Sequence, residues 1–271
     1  MAEIQYALRG VLARRGQTMI ETQPSGGALA GGSRGARDLR LDGRWVAVLA
    51  AHGGGGASTV ALALADAMTS KGRHSRLVEL TAPARSGLVA ATQTELGLDD
   101  TEGWRRGTRG LCTVLRRAAT AMPQSWPQID DLAETIVDVG LPSADGLPGL
   151  AGDGAQLVVV CRATVSGVRA CEQMLTCLPG ERVLLAAVGP ARWPGPVLAA
   201  SGPRVRAARE QNRLVPIPHE RRLEIAGLTA SRLPGSVAAA GRVLLDLLGT
   251  DRGDTHAPSA AGTPQPKGAS Q

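Results

Sequence analysis

The sequence predicts an α/β protein in which a mostly parallel sheet carries helices on both faces, a three-layer arrangement. Two observations predict it. Short apolar segments alternate with helical patterns, and a run of four glycines joins the first apolar segment to the first helical one. Trp45–Ala50 is predicted to be a buried strand. Ser58–Ser70 is predicted to be a helix, apolar nearly all round because it packs between the sheet and other elements.

The same alternation continues along the chain. The further predicted strands are Arg76–Leu80, Thr135–Val139, Leu157–Cys161, Val183–Val188 and Val215–Ile217. The further predicted helices are Ala84–Ala91, Val165–Leu178, one beginning in Pro196–Ser201, Arg221–Ala226 and Ser236–Leu248. Between them, residues 93–128 are expected to be irregular. Their Arg- and Gly-rich patch, Gly103–Gly110, is expected to be an exposed loop, with a partner or DNA contact as the alternative.

Composition divides the chain into three parts. Residues 1–43 are predicted to be a short helix with a basic face followed by a flexible Gly-, Ser- and Arg-rich linker. Residues 44–250 hold the alternating pattern and form the predicted globular domain. Residues 251–271 have little apolar content and are predicted to be a disordered tail.

The composition also limits the function classes. The 271 residues are 43% hydrophobic but only 2% aromatic, with no Phe, which argues against recognition of single-stranded nucleic acid by base stacking. The formal net charge is +6. This charge predicts either a mildly basic surface or attraction to DNA or an anionic membrane.

The cysteines and the apolar runs bear on the compartment. Cys112, Cys161, Cys171 and Cys177 show no metal-binding spacing and are expected to be buried free thiols in a reducing environment. Residues 1–20 lack the apolar run of a signal peptide, and no stretch is long and apolar enough to cross a bilayer. The expected location is the cytoplasm, with peripheral contact to membrane or nucleoid as an option.

The glycine run lies where a phosphate-binding loop would lie, between a strand and a helix. The usual pattern is G-x-x-x-x-G-K-[ST], in which backbone N–H groups cradle phosphates and the Lys reaches the β- and γ-phosphates. Ala57 stands at the Lys position. Of the 30 Lys and Arg residues only Lys71 and Lys267 are lysines, and neither is close enough along the chain to substitute. The candidate nucleotide-binding residues are His52, Gly53, Gly54, Gly55, Gly56, Ala57, Ser58 and Thr59.

Two acidic residues lie near the ends of later predicted strands. Glu79 ends the second predicted strand, and Asp138 ends the third. Because ligands of parallel sheets bind beyond the carboxyl ends of the strands, Ser58 and Asp138 are candidate ligands of Mg²⁺, with Glu79 as a possible second acid. The alternative for Asp138 is a turn residue or a helix-cap partner.

Taken in order, these segments resemble the MinD/ParA family of P-loop ATPases, whose deviant phosphate loop runs K-G-G-x-G-K-[ST]-T. The matching stretch is His52-Gly53-Gly54-Gly55-Gly56-Ala57-Ser58-Thr59, so both family lysines are replaced. Val78-Glu79-Leu80-Thr81-Ala82-Pro83 resembles the family's V-D-x-D-P motif with the second acid replaced by Thr81. Ile136-Val137-Asp138 resembles its second acidic strand. Pro216, Ile217 and Pro218 resemble its adenine-side segment.

The resemblance implies a P-loop NTPase-like fold, ATP or ADP with Mg²⁺ as the possible ligand, and a positioning or regulatory role. The degenerate loop is similar to the TadZ/CpaE-like, septum-site-determining-like and actinobacterial conjugative-element branches. Loss of the lysine predicts a pseudo-ATPase with a protein partner. The alternative is a slow ATPase activated by dimerisation, DNA or a partner; having no nucleotide ligand at all is equally defensible.

A second basic feature precedes the last predicted strand. Non-specific DNA binding rests on Lys and Arg contacts to phosphates, and family members use basic surfaces in this way. The alternative interpretation is that the arginines of this feature form the solvent-exposed face of a helix. The candidate residues for a DNA-binding module of a mobile element are Arg204, Arg206, Arg209 and Arg213.

Overall fold

One sheet of nine strands organises the part of the chain that the structure describes. The structure is a computed structural model that describes residues 45–99, 103–119, 134–142, 155–178 and 183–250. The predictions for residues 1–43 and 251–271 lie outside these ranges. The strand order is β3-β4-β5-β2-β6-β1-β7-β8-β9. The strands are β1 Trp45–Ala50, β2 Ser75–Glu79, β3 Thr94–Asp99, β4 Trp104–Arg109, β5 Cys112–Arg117, β6 Glu134–Gly140, β7 Ala155–Arg162, β8 Val183–Val188 and β9 Leu214–Ile217.

Helices cover both faces of the sheet, which confirms the predicted three-layer α/β fold. The helices are α1 Ala57–Ser70, α2 Val165–Cys177, α3 Gly195–Ala200, α4 Pro203–Glu210, α5 Arg221–Ala226 and α6 Gly235–Thr250. One apolar core holds α1 and α6 against one face, and a second holds α2, α3 and α4 against the other. The central strands β1 and β6 are largely buried. Their continuous apolar runs therefore place apolar side chains in the cores on both faces of the sheet.

All pairings except those of β4 are parallel. Parallel pairing places the carboxyl ends of β1, β2, β5 and β6 at the same edge of the sheet. The loop that follows β1 leads directly into α1 at that edge. The fold therefore gathers the ends of these four strands around one loop.

The expectation of an irregular segment at 93–128 is wrong for the residues described. β3, β4 and β5 extend the sheet beyond β2, and β4 runs antiparallel to both of its neighbours. The patch predicted as an exposed loop is largely this strand, with Trp104 and Arg109 buried. The strand was not predicted because its arginines are typical of a solvent-exposed segment. A buried arginine is stable only with hydrogen-bonding partners, and the sequence does not reveal them.

The partners of Arg109 form a complete hydrogen-bonding set. Nε and Nη2 donate to the two carboxylate oxygens of Asp66 on α1, at 2.7 and 2.9 Å. Nη1 donates to the carbonyls of Ala91 and Thr229, both at 2.9 Å, and Nη2 also donates to that of Ser231 at 2.8 Å. All five N–H groups of a guanidinium are thereby used. We call these residues the Arg109 cluster.

Smaller predictions had mixed outcomes. The helix expected over Ala84–Ala91 is only a 3-10 turn at Pro83–Arg85, and α4 was not predicted as a separate helix. Three cysteines are buried as expected, but Cys177 is exposed at the end of α2. Within the described ranges, every helix is too short or too polar to span a membrane.

Candidate functional site

The loop between β1 and α1 requires glycine at two positions. Gly56 precedes α1 with φ 99°, in the left-handed region that side chains disfavour. A Cβ on Gly55 would lie 3.0 Å from the His52 carbonyl oxygen and 3.1 Å from that of Val160. Both contacts are to backbone atoms, which cannot move aside easily. A side chain at position 55 would therefore require the surrounding backbone to shift by a few tenths of an ångström.

The start of α1 presents unused donors. Gly56 provides no side-chain cap, and the first helical hydrogen bond runs from the Val60 N–H to the Gly56 carbonyl. The N–H groups of the residues between them have no partner within the helix. The helix dipole adds positive potential at the same point, and this arrangement favours a bound anion.

The structure assigns His52 a different role from the predicted phosphate contact. The Arg162 N–H donates to His52 Nε2 at 3.1 Å, so Nδ1 carries the proton and donates to the Gly53 carbonyl at 2.9 Å. Both ring nitrogens are therefore engaged with backbone. His52 joins the loop to the end of β7, and a direct contact from its ring to phosphate would require one of these bonds to break.

Asp138 lies wholly buried beside the loop. Its Oδ1 accepts the Gly140 N–H at 3.1 Å, whereas its Oδ2 has no hydrogen-bond partner among the described residues. The pKa of Asp138 is raised to about 7, chiefly by burial and also by the nearby Glu79 carboxylate, against the opposing effects of the Ser58 hydroxyl and the Gly140 N–H. A buried carboxylate oxygen without a partner is costly, and a cation would stabilise it.

Glu79 lies next to Asp138 because the two residues are register partners on β2 and β6. It too is fully buried. The Ser86 hydroxyl donates to Oε2, and the Gly87 N–H donates to Oε1 at 2.9 Å. Burial raises the pKa of Glu79, and these donors and the charge of Arg116 offset part of the rise. Two acids predicted from separate motifs thus form one buried pair.

A cleft of about 420 Å³ opens above the loop. This volume is within the range of small-molecule sites. The cleft is lined by the whole candidate loop from His52 to Thr59, by the segment after β2 and by the end of β6. Of the lining residues that the sequence did not predict, two are cationic, Arg85 and Arg117. Only the strand pairing brings Arg117 here, so no local pattern in the sequence could have identified it.

The missing lysine is not replaced by the nearest one in the sequence. Ala57 is buried and lines the cleft, so a longer side chain at this position would enter it. Lys71 lies at the opposite end of α1, where it forms an ion pair with Asp246 on α6. Among the described residues that line the cleft, arginines are present and carboxylates are not. The lining therefore carries positive charge even without the lysine.

The remaining candidates lie elsewhere. Pro216, Ile217 and Pro218 are in and after β9 and are not among the residues that line the cleft. Three of the four arginines of the predicted basic surface, Arg204, Arg206 and Arg209, are exposed on α4. On this helix, Arg206 Nε donates to the Ser201 carbonyl and Arg209 stacks over Trp193 at 5.9 Å. Arg213 is half-buried and bonded to Gln211 and the Val183 carbonyl.

Comparison with known proteins gives structural matches only. No protein-family model and no curated protein sequence matches the chain. Apo McdA from Cyanthece is 12% identical, with 76% of this chain and 99% of that chain covered and a TM-score of 0.53. The MinC:MinD cell division complex of Aquifex aeolicus is 15% identical, with 75% of this chain and 96% of that chain covered and a TM-score of 0.51.

A third match is cobyrinic acid a,c-diamide synthase from Mycobacterium smegmatis with a bound ATP analog and magnesium. It is 17% identical, covers 78% of this chain and 96% of that chain, and has a TM-score of 0.51. Identities this low concern the fold alone. The sheet, the loop between β1 and α1, and these likenesses together show that the chain shares the α/β fold of MinD and McdA.

Proposed function

We propose that the chain is a degenerate MinD/ParA-like protein that binds ATP or ADP with Mg²⁺ in the cleft above the glycine loop. The observation that carries this proposal is Asp138 Oδ2, a fully buried carboxylate oxygen without a hydrogen-bond partner beside a glycine-built anion cradle. A structural acid would have its oxygens satisfied. A cation held there between acid and phosphates would satisfy both groups.

The residues present fit this ligand. The backbone N–H groups of the loop and of the start of α1 would hold phosphates. Ser58 and Asp138 would hold the metal, with Glu79 behind Asp138 in the buried pair. When bound, Mg²⁺ would neutralise phosphate charge. The proposed Mg²⁺ site requires Asp138 to be ionised. The raised pKa of Asp138 disfavours the ionised form, and a bound cation would stabilise it.

Hydrolysis is expected to be slow or absent. Ala57 replaces the lysine of the family pattern, and Thr81 replaces its second acid. Loss of one strong electrostatic contact at a transition state typically costs about 10²–10³ in rate. A protein that binds nucleotide but turns it over poorly suits a regulatory or positioning role in the cytoplasm. We propose that it acts on a protein partner in machinery such as conjugation, pilus or septum assembly.

Calorimetric titration with ATP and ADP tests the proposal. We expect the wild-type chain to bind MgATP at micromolar concentration and to lose at least tenfold in affinity when EDTA removes Mg²⁺. Asp138→Asn should lose most of that Mg²⁺ dependence while keeping weak binding, because the loop N–H groups remain. Wild-type protein that releases no heat with either nucleotide at millimolar concentration would disprove the proposal.

Phosphate release measured on the same samples addresses the alternative of a slow ATPase. Turnover that rises with protein concentration, or on adding DNA, would support activation by dimerisation or by DNA. Turnover absent under all these conditions, together with MgATP binding, supports the pseudo-ATPase.

A further inference from the structure

The cleft contains a cationic side chain, Arg117, that the extension of the sheet by β3–β5 places there. Arg117 is the last residue of β5, and β5 pairs parallel with β2, with Arg116 opposite Glu79. Arg117 is therefore level with Leu80, at the edge of the sheet where the glycine loop lies. It lines the same cleft as Gly53–Thr59.

The side chain is held in place rather than extended into solvent. Arg117 is only 9% exposed, and its Nη1 donates to the Leu80 carbonyl at 2.9 Å. Arg85 also lines the cleft, but it is exposed on the 3-10 turn. A charge in a largely desolvated position interacts more strongly with a ligand than an exposed one does. A side chain that is already held in place also loses less conformational freedom when the ligand binds.

We propose that Arg117 supplies, from within the same chain, the phosphate-binding cation that position 57 lacks. This inference rests on the proposed function and specifies how the altered loop retains a polyphosphate ligand. Burial lowers the pKa of Arg117, in the direction expected for a guanidinium partly withdrawn from solvent. A phosphate oxygen bound in the cleft would be an additional acceptor for this guanidinium. A guanidinium suits this role because it can donate two N–H groups to one phosphate.

Titration of single and double variants with MgATP tests the inference. We expect Arg117→Ala to weaken binding about 10- to 100-fold, the effect of losing a charge-assisted hydrogen bond. Arg117→Lys should lose less, since it keeps the charge. Arg105→Ala, an exposed arginine on the neighbouring strand β4 that does not line the cleft, should bind as wild type does.

Returning the family lysine makes the test independent of whether Arg117→Ala folds less well. If Arg117 replaces the lysine, Ala57→Lys should restore binding to the Arg117→Ala variant by at least tenfold. The same substitution should improve the wild-type chain much less, because one cation already serves the phosphates. Such non-additivity is expected for residues that share one ligand group. Thermal melting without nucleotide monitors the fold of each variant.

The outcomes separate this inference from the proposed function. Equal binding by wild type and Arg117→Ala, or equal improvement from Ala57→Lys in both backgrounds, would overturn the role of Arg117 and leave nucleotide binding intact. Binding that appears only after Ala57→Lys would overturn both proposals for the wild-type chain, because neither the loop nor Arg117 would then hold the nucleotide. No binding by wild type or by Ala57→Lys would overturn both proposals.

Discussion

Two groups of buried charge in this protein differ in how fully they are satisfied. In the Arg109 cluster, every N–H of the guanidinium has an acceptor, and the carboxylate of Asp66 receives two of them. In the Asp138–Glu79 pair, two acids lie side by side and Asp138 Oδ2 has no hydrogen-bond partner. The first arrangement is complete without a ligand and joins α1, β4 and the segment before α6. The second is incomplete, and this difference is the reason that we propose a ligand site at the second and not at the first.

The largest effect is expected from breaking the complete cluster. Arg109→Met should lower the free energy of unfolding by about 3–5 kcal/mol, because it leaves Asp66 and three backbone carbonyls without their donor. Urea denaturation measures the loss. Arg105→Met, at an exposed position of the same strand, should change stability by no more than about 0.5 kcal/mol. A loss below about 1 kcal/mol in Arg109→Met would show that the cluster contributes little.

The second prediction contrasts the same substitution in the two clusters. Asp66→Asn removes the partner of Arg109 and should destabilise the protein by about 1–3 kcal/mol at pH 8. Asp138→Asn should instead stabilise it at pH 8 without nucleotide or Mg²⁺, by about 1–2 kcal/mol. It replaces a carboxylate whose ionised form is disfavoured by burial with a neutral group of similar shape.

The pH dependence of Asp138 has a defined sign. With a pKa of about 7 in the fold against an ordinary value near 3.8, the folded state binds more protons than the unfolded chain between about pH 4 and pH 7. The contribution of Asp138 to stability therefore falls as pH rises through that window and is constant above it, with an upper limit of roughly 4 kcal/mol. The raised pKa of Glu79 acts in the same direction.

Urea unfolding at pH 5 and pH 8 measures this dependence. Wild-type protein should lose more stability between the two pH values than Asp138→Asn does, since the variant keeps only the Glu79 contribution. Equal losses in both proteins would mean that Asp138 is ionised in the fold throughout this range.

The smallest effect concerns the donors to Glu79. Ser86→Ala removes the hydroxyl that hydrogen-bonds Oε2 and should cost about 1 kcal/mol at pH 8, where this donor supports the ionised acid. The cost should shrink at pH 5. Stability measured at both pH values checks this, and a cost independent of pH would indicate lost packing instead of lost support for charge.

The accuracy of the sequence-based predictions depended on how local each feature is. The strand–loop–helix unit from Trp45 to Ser70 was predicted nearly to the residue, because an apolar run, four glycines and an apolar helix are contiguous. Glu79 and Asp138 were each placed at a strand end from their own segments. Their contact followed only when β2 and β6 paired in register. The β3–β5 extension was missed because its arginines resemble a solvated loop.

By itself, the sequence determined the α/β class, the position of the glycine loop and the absence of the lysine at position 57. Each of these depends on neighbouring residues and on the period of apolar side chains. Only the tertiary structure decided that His52 is engaged with backbone, that Asp138 has an unsatisfied oxygen, and that Arg117 lines the cleft. These facts depend on which strands pair and how deeply they are buried, so they follow from contacts between residues far apart in the chain.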